Sequence, residues 1–328
     1  MPIFFWRFAA NARNTKEPLK AAHLFLRGAD SLAQIPSMQA VKADASFIGT
    51  AGLAASAADQ SLVRSWVHDG DVIGCKFSND ESRLLTWSGD RTARLWDVTK
   101  LEPLQTFKHD GVVLGAQFSE DESRVLTWSV DMMARLWHVS KSEPLQTFMH
   151  DFPVRGAHLK HDASLVLTWT GDPHSSIPGA RLWDVTRAEP IHLFEHDVGD
   201  DVIGASFGRV KSSVMTWDRK GETNLWDRTL PEPKSIQTFK HDSSVNGAQF
   251  NHDESLVLTW CDDNAARLWD VTTRIMIQTI RHDSLVNGAQ FVRDGSRVLT
   301  WSKDKTARLW DVANPKLRSS RHLNKNPL

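Results

Sequence analysis

Tryptophan sets the frame of this chain. Fourteen are present, and twelve fall in six ordered pairs: Trp87 and Trp96, Trp128 and Trp137, Trp169 and Trp183, Trp217 and Trp226, Trp260 and Trp269, Trp301 and Trp310. A His-Asp dipeptide precedes each pair, at His68, His109, His150, His196, His241 and His282. Successive histidines lie 41, 41, 46, 45 and 41 residues apart. Self-similarity at a fixed period marks a repeat architecture, in which no unit buries its apolar face alone and neighbours stack to form the core.

The strand pattern within one unit agrees. Residues 109–139 read HDGVVLGAQFSEDESRVLTWSVDMMARLWHV. Val112 to Phe118 is apolar and β-prone, Ser119 to Ser123 is a polar turn, and Arg124 to Trp128 is β-prone again. A turn around Asp131 leads to Ala134–Val139, and the EPLQTF that follows supplies a fourth strand. Short strands between polar turns at regular spacing predict an all-β fold, and helical periodicity is absent. A period of about 40–45 residues predicts four-stranded antiparallel blades of a propeller. Six copies predict six blades.

The segments LTWSGDRTARLWD (85–97) and LTWSKDKTARLWD (299–311), with the spaced histidines, resemble the WD-repeat β-propeller family in its bacterial form, with LTWSxDxTARLWD units. The resemblance covers residues 59–312. In that family a Trp, a Ser or Thr, a His and an Asp of each blade form a buried hydrogen-bonded network. Carried over by position, the resemblance implies Trp96, Ser88, His68 and Asp90 in blade one, and Trp137, Ser129, His109 and Asp131 in blade two. It implies Trp183, Thr170, His150 and Asp172 in blade three, and Trp310, Ser302, His282 and Asp304 in blade six. In blade five the same places hold Trp269, Cys261, His241 and Asp263. The chemistry suits burial: Trp donates only, a hydroxyl and a neutral His each do both, and an ionised Asp accepts.

Departures from the pattern carry expectations of their own. Cys261 is a poor substitute for a hydroxyl. Blade four has Asp218 in the hydroxyl place and Lys220 in the Asp place, so its network is expected to fail and the blade to be the least rigid. Blade two reads Trp137-His138 instead of Trp-Asp. Trp87, Trp128, Trp169, Trp217, Trp260 and Trp301 stand where the family usually has a small residue. Each is next to the hydroxyl place, so it should face the other side of its strand. Inter-blade packing explains these rings better than ligand stacking. The repeated ARLWD arginines (Arg94, Arg135, Arg181, Arg267, Arg308) are expected to pair with acids, and blade four has Asn224 there.

Composition removes several classes. A formal net charge of -1 over 328 residues gives no electrostatic case for nucleic acid or an anionic membrane. Two cysteines, Cys75 and Cys261, make no disulfide framework and read as free thiols. The opening MPIFFWRF is too short for a secretory core, and no run reaches 18 apolar residues, so a cytoplasmic location is expected.

The ends differ from the repeats. Residues 1–58 form an extension, with helix-like spacing from Thr15 to Gln34 and small residues over 45–58; helical and irregular readings both stand. A similar stretch precedes WD repeats in large bacterial sensor proteins built on a signalling ATPase, but no GxxxxGK[ST] phosphate loop occurs here. Residues 61–67 (SLVRSWV) suit an outer strand better than the basic tail 313–328 does. They are therefore expected to complete blade six, so that deleting 1–67 unfolds or aggregates the chain.

No catalytic residue, cofactor or metal is predicted: HExxH, GxSxG and paired CxxC are absent. Functional variation is expected where the repeat is interrupted. Blade three carries the insertion DPHSSIPG (172–179) and blade four the longer HDVGDDV (196–202). Inserted loops on one face of a repeat protein often bind partners. The candidate lip is Pro173, His174, Ser175, Ser176, Ile177, Pro178, Gly199, Asp200 and Asp201. The expected function is a non-catalytic scaffold for a protein partner, acting as a monomeric propeller or within a larger assembly. A sensor of a small ligand or peptide is the alternative, and a propeller enzyme is the weaker third.

Overall fold

The structure is a computed structural model that describes residues 63–171, 179–197, 201–208, 212–230, 232–292 and 295–312. The expected N-terminal helix, the 45–58 linker and the basic tail fall outside these residues. Every regular element described is a β-strand.

The strands group into six antiparallel sheets in chain order. Sheet one holds β1 (Val72–Phe77), β2 (Arg83–Ser88), β3 (Thr92–Asp97) and β4 (Pro103–Lys108). Sheet two holds β5 (Val113–Phe118), β6 (Arg124–Ser129), β7 (Met133–His138) and β8 (Pro144–Met149). Sheet three holds β9 (Gly156–Leu159), β10 (Leu165–Trp169), β11 (Gly179–Asp184) and β12 (Pro190–Glu195). Sheet four holds β13 (Val202–Phe207), β14 (Ser213–Asp218), β15 (Glu222–Asp227) and β16 (Ser235–Lys240). Sheet five holds β17 (Val245–Phe250), β18 (Leu256–Cys261), β19 (Ala265–Asp270) and β20 (Met276–Arg281). Sheet six has three described strands, β21 (Val286–Phe291), β22 (Arg297–Ser302) and β23 (Ala307–Asp311). Six such meanders in sequence are consistent with a six-bladed propeller.

The chain divides into two compact units, Met1–Ser175 with Arg181–Leu193, and Ser176–Ala180 with Phe194–Leu328. In the first, one face of sheet one (Leu85, Trp87, Ala93, Leu95, Phe107) packs on Val113, Ala116, Phe118, Val125 and Trp137 of sheet two. Sheet two repeats the arrangement on sheet three, with Leu126, Ala134, Leu136 and Phe148 against Ala157, Leu159, Val166 and Trp183. In the second unit sheet four packs on sheet five and sheet five on sheet six in the same way. The rings at the outer strands, Phe107, Phe148, Phe194 and Phe239, are all buried. Each contributes about 1.5–3 kcal/mol of burial. A single sheet with one apolar face could not bury that face in water, which is why neighbouring sheets stack within each unit.

Alternation fixes which face each residue serves. Thr86 pairs with Arg94 and Leu84 with Trp96, so Leu84, Thr86, Ser88, Arg94 and Trp96 share a face. Trp87 pairs with Ala93 and Leu85 with Leu95 on the other.

The second tryptophan series has a partner that the sequence reading overlooked. Gly74 stands opposite Trp87 in the β1–β2 register, and Gly115 opposite Trp128. A Cβ at Gly74 would come within 2.3 Å of Trp87 Cζ2, and at Gly115 within 2.0 Å of Trp128 Cζ2. Gly156, Gly204, Gly247 and Gly288 do the same for Trp169, Trp217, Trp260 and Trp301. Each indole therefore lies across a bare strand, and the pair Gly plus Trp replaces an ordinary pair of middle-sized side chains. Trp87 and Trp260 belong to inter-sheet clusters, while Trp128 and Trp217 pack against them. These rings are packing groups.

Residues 63–67 do not form the expected strand. They run as coil, and Trp66 Nε1 donates to the Lys100 carbonyl oxygen at 3.2 Å, beside the turn that follows β3. Leu309 of β23 is 52% exposed, whereas its counterparts Leu95, Leu136 and Leu268 are buried. Among the described residues, nothing supplies a fourth strand to sheet six.

Candidate functional site

The repeated polar groups form one motif, and its central hydroxyl is a threonine. Trp96 Nε1 donates to Thr86 Oγ1 at 2.8 Å, and His68 Nε2 lies 2.7 Å from the same oxygen. His68 Nδ1 lies 2.8 Å from Asp90 Oδ2. The protons then have one consistent arrangement. Trp donates to Thr, Thr donates to His Nε2, and His Nδ1–H donates to the carboxylate. Asp90 also accepts from the backbone N–H of Asp69 and of Thr92, which pins the turn to the network. Sheet two matches: Trp137 to Thr127 at 2.8 Å, His109 to Thr127 at 2.7 Å and His109 to Asp131 at 2.9 Å. Sheet six does too, through Trp310, Thr300, His282 and Asp304.

The expected hydroxyls are displaced by two residues. Ser88 Oγ, Ser129 Oγ and Ser302 Oγ accept from the N–H of Asp90, Asp131 and Asp304, and none reaches the tryptophan. Thr170 and Cys261 are likewise not the central group. In sheet three Trp183 donates to Thr168 at 2.8 Å, and in sheet five Trp269 donates to Thr259 at 3.0 Å. A two-residue step preserves the strand face, so the error left the geometry plausible. The signal was in the chain: Thr86, Thr127, Thr168, Thr216, Thr259 and Thr300 are the same in all six repeats, whereas the next position on that face reads Ser, Ser, Thr, Asp, Cys, Ser.

Sheet four, expected to fail, has a complete network. Its central hydroxyl is Thr216, 2.8 Å from Trp226 Nε1 and 2.7 Å from His196 Nε2. Asp218, two residues earlier than the usual acid, lies 2.8 Å from His196 Nδ1 and accepts from the N–H of Gly221 and Glu222. The carboxylate thus does the work of Asp90 from the Ser88 place, and Lys220 is not needed in it.

Among the described residues, the networks of sheets three and five are incomplete. Both ring nitrogens of His150 are buried without a hydrogen-bond partner among the described residues. Asp172 lies outside those residues. Burial, with Arg181 nearby, pushes the His150 pKa down to about 3. In sheet five Asp263 pairs with Arg267 instead of the histidine. His241 Nδ1 turns to the Gly221 carbonyl oxygen at 3.0 Å. The imidazoles of these two repeats sit closer to their tryptophans: ring centroids are 5.4 Å apart for His150–Trp183 and 5.3 Å for His241–Trp269, against 6.0 Å for His68–Trp96. In both sheets no acid among the described residues bonds the ring, and the ring lies nearer the indole.

Burial also lowers the pKa of His68, His109 and His241, against the pull of Asp90, of Asp131 and of the Gly221 carbonyl respectively. These groups are therefore neutral hydrogen-bonding parts. Burial opposes the charge on Asp131, but the His109 bond and Arg135 outweigh it and bring the carboxyl to about 2. The Cys261 thiol is buried and its pKa is raised by desolvation, so it is not a reactive thiolate.

The arginines close the edge of the motif. Arg94 reaches Asp90 at 3.0 Å, the exposed Asp69 at 3.1 Å and the Val67 carbonyl oxygen at 2.9 Å. Arg308 repeats this with Asp304 and Asp283, and Arg181 pairs with Asp151 at 2.8 Å. The repeated His-Asp acids of these sheets are thus partly neutralised.

Of the proposed lip, Pro173, His174, Ser175, Ser176, Ile177, Pro178, Gly199 and Asp200 lie outside the described residues. Asp201 is described, and it is only 9% exposed. Its carboxylate pairs with Arg219, and its carbonyl oxygen accepts from Arg219 N at 3.1 Å, as the Asp71 carbonyl does from Gly89 N. That makes Asp201 part of the sheet-four turn and takes it out of an exposed lip.

Among the described residues no helix is long and apolar enough to cross a membrane. A family description, WD domain, G-beta repeat, matches the chain over residues 54–97, 233–270 and 275–311. The matched stretches include His68 to Trp96, His241 to Trp269 and His282 to Trp310, so they coincide with the motif built above. The chain carries WD repeats over these three stretches, and its six antiparallel sheets are consistent with a WD-repeat propeller.

Proposed function

We propose that this protein is a non-catalytic interaction scaffold that presents the turns and loops of its repeats to a protein partner, with no nucleic-acid or membrane role, and that it works in the cytoplasm. WD repeats in general mediate protein–protein interaction, and the chain carries them. One observation supports the reading most directly. Four of the six repeated histidines, His68, His109, His196 and His282, are engaged within their own sheets, each bonding an acid on one side and a threonine on the other. A network that is fully satisfied fixes packing and offers no free proton acceptor to a substrate.

The inserted loop over 172–179 remains the proposed contact. The test is affinity capture on the immobilised full chain, beside a variant in which residues 172–179 are replaced by Gly and Ser. The scaffold reading expects at least one protein retained specifically by the unaltered chain and lost from the variant. Equal retention by both rejects the loop, and no specific retention at all rejects the scaffold.

A further inference from the structure

The outer strands of the sheets begin alike, with one exception. β4 opens with Glu102, Pro103 and Leu104, β8 with Glu143, Pro144 and Leu145, and β12 with Glu189, Pro190 and Ile191. β16 opens with Lys234, Ser235 and Ile236. In each case a charged residue precedes the strand, and in three a proline heads it. Each of these strands pairs within its sheet on one side only. A free edge presents N–H and C=O groups to any extended chain, and charge and proline are the usual guards against such pairing.

β20 lacks the proline, and its charge, Arg274, stands one residue further out, with Ile275 in the place of Glu102. Its opening residues are Ile275, Met276 and Ile277, exposed by 63%, 44% and 36%. Its register with β19 carries the same irregularity as the other outer strands, between Leu268 and Trp269, and beyond it Gln278 to Arg281 pair regularly. The strand is therefore as well formed as β4, and it differs in what it shows to solvent. Arg274 and Arg281 stand exposed at its two ends, and neither side chain has an ion-pair partner among the described residues.

We infer that the open edge of β20 is a docking strand for an extended segment of a partner protein, aliphatic at alternate positions and acidic at both ends. The segment adds main-chain hydrogen bonds along Gln278–Arg281 and covers Ile275–Ile277, a mode in which backbone pairing gives affinity and alternate side chains give selectivity. Charge decides the occupant. A second copy in antiparallel pairing would set Arg274 against Arg281. The chain's own tail, 313–328, carries Lys316, Arg318, Arg321 and Lys325 and no acid. Both would bring positive charge to positive charge, whereas an acidic segment meets its complement. The inference rests on the scaffold reading and names the partner's chemistry.

The test uses the full chain and a fluorescent peptide, Asp-Asp-Val-Thr-Val-Thr-Val-Glu-Glu, titrated by anisotropy. The double variant Ile275→Glu, Met276→Pro copies Glu102 and Pro103 of sheet one, so the fold accommodates it. It should weaken binding by about tenfold or more. The pair Arg274→Glu, Arg281→Glu keeps residues 276–280 unchanged and should exchange the acidic probe for one with lysine ends. Absence of saturable binding by the unaltered chain overturns the inference, as does undiminished binding of the acidic probe by either variant. So does a self-association, seen by sedimentation, that the first variant abolishes. If captured partners stay equally bound to the first variant, the β20 site fails while the scaffold stands; if the unaltered chain captures none, the scaffold itself fails.

Discussion

Replacing Thr127 by valine isolates the centre of one network. Thr127 is fully buried and its hydroxyl serves two groups, accepting from Trp137 Nε1 at 2.8 Å and lying 2.7 Å from His109 Nε2. Valine keeps the shape and removes the oxygen. Trp137 then has a buried donor, and His109 a buried acceptor, with no partner. Each such orphan costs about 1–3 kcal/mol, so the variant should lose roughly 2–5 kcal/mol. The comparison is Ser129→Ala. Ser129 is just as buried, but its hydroxyl accepts only from the N–H of Asp131, at 3.1 Å. That change should cost about 1 kcal/mol. Urea denaturation followed by tryptophan fluorescence reads both, provided the m-value holds steady between variants. A Ser129→Ala loss equal to that of Thr127→Val would refute the assignment of the threonine as the hub. So would a Thr127→Val variant as stable as the parent.

Two further perturbations probe the repeat. Gly115→Ala drives a methyl to within 2.0 Å of the Trp128 ring, so it should destabilise by about 1–3 kcal/mol or more and lower the melting temperature; an unchanged melt would show that the indole has room to move. His150 has a folded pKa near 3 against an ordinary 6.5, so the unfolded state binds the extra proton as pH falls through 6.5. The neutral ring therefore contributes its full stability above 6.5, and that contribution is lost progressively between 6.5 and 3, by about 1.4 kcal/mol already at pH 5.5. In denaturant melts across this window His150→Leu should show a shallower pH slope than the parent, and parallel slopes would contradict the burial argument.

The repeat itself was open to reading because its physics is local. Period, strand alternation and polar turns are all written within 41 residues, and six copies remove the ambiguity of any one. Position along a strand was harder. Thr86 and Ser88 share a face, and no propensity separates them; the constancy of the threonine over six repeats does, as does the register to Trp96, which is set by strand pairing. The glycines at 74, 115 and 156 were equally visible, but their purpose appears only when the strand opposite is known to bear tryptophan. The loops over 172–178 and 198–200 carry no period at all, and there the sequence offered composition alone.

The largest revision concerns where the repeat is weak. A missing residue in a motif is a defect only if no other residue can reach the same atom. In sheet four Asp218 sits two places early on the correct face, and a carboxylate there reaches His196 as well as the usual one reaches its partner. In the same sheet Trp217 Nε1 is buried without a hydrogen-bond acceptor among the described residues. In sheet five every residue of the motif is present, yet Arg267 draws Asp263 away and His241 must use a backbone carbonyl. That same sheet bears the outer strand with an isoleucine and a methionine where the first sheet has glutamate and proline. A blade that keeps its motif letters but reassigns their bonds, and that also leaves an apolar edge uncovered, departs from its neighbours at two independent places. Packing alone asks for neither departure, because sheets one, two and four bury equivalent leucines to within 2% exposure with guarded edges. Sheet five is therefore the described sheet that departs furthest from what packing alone asks.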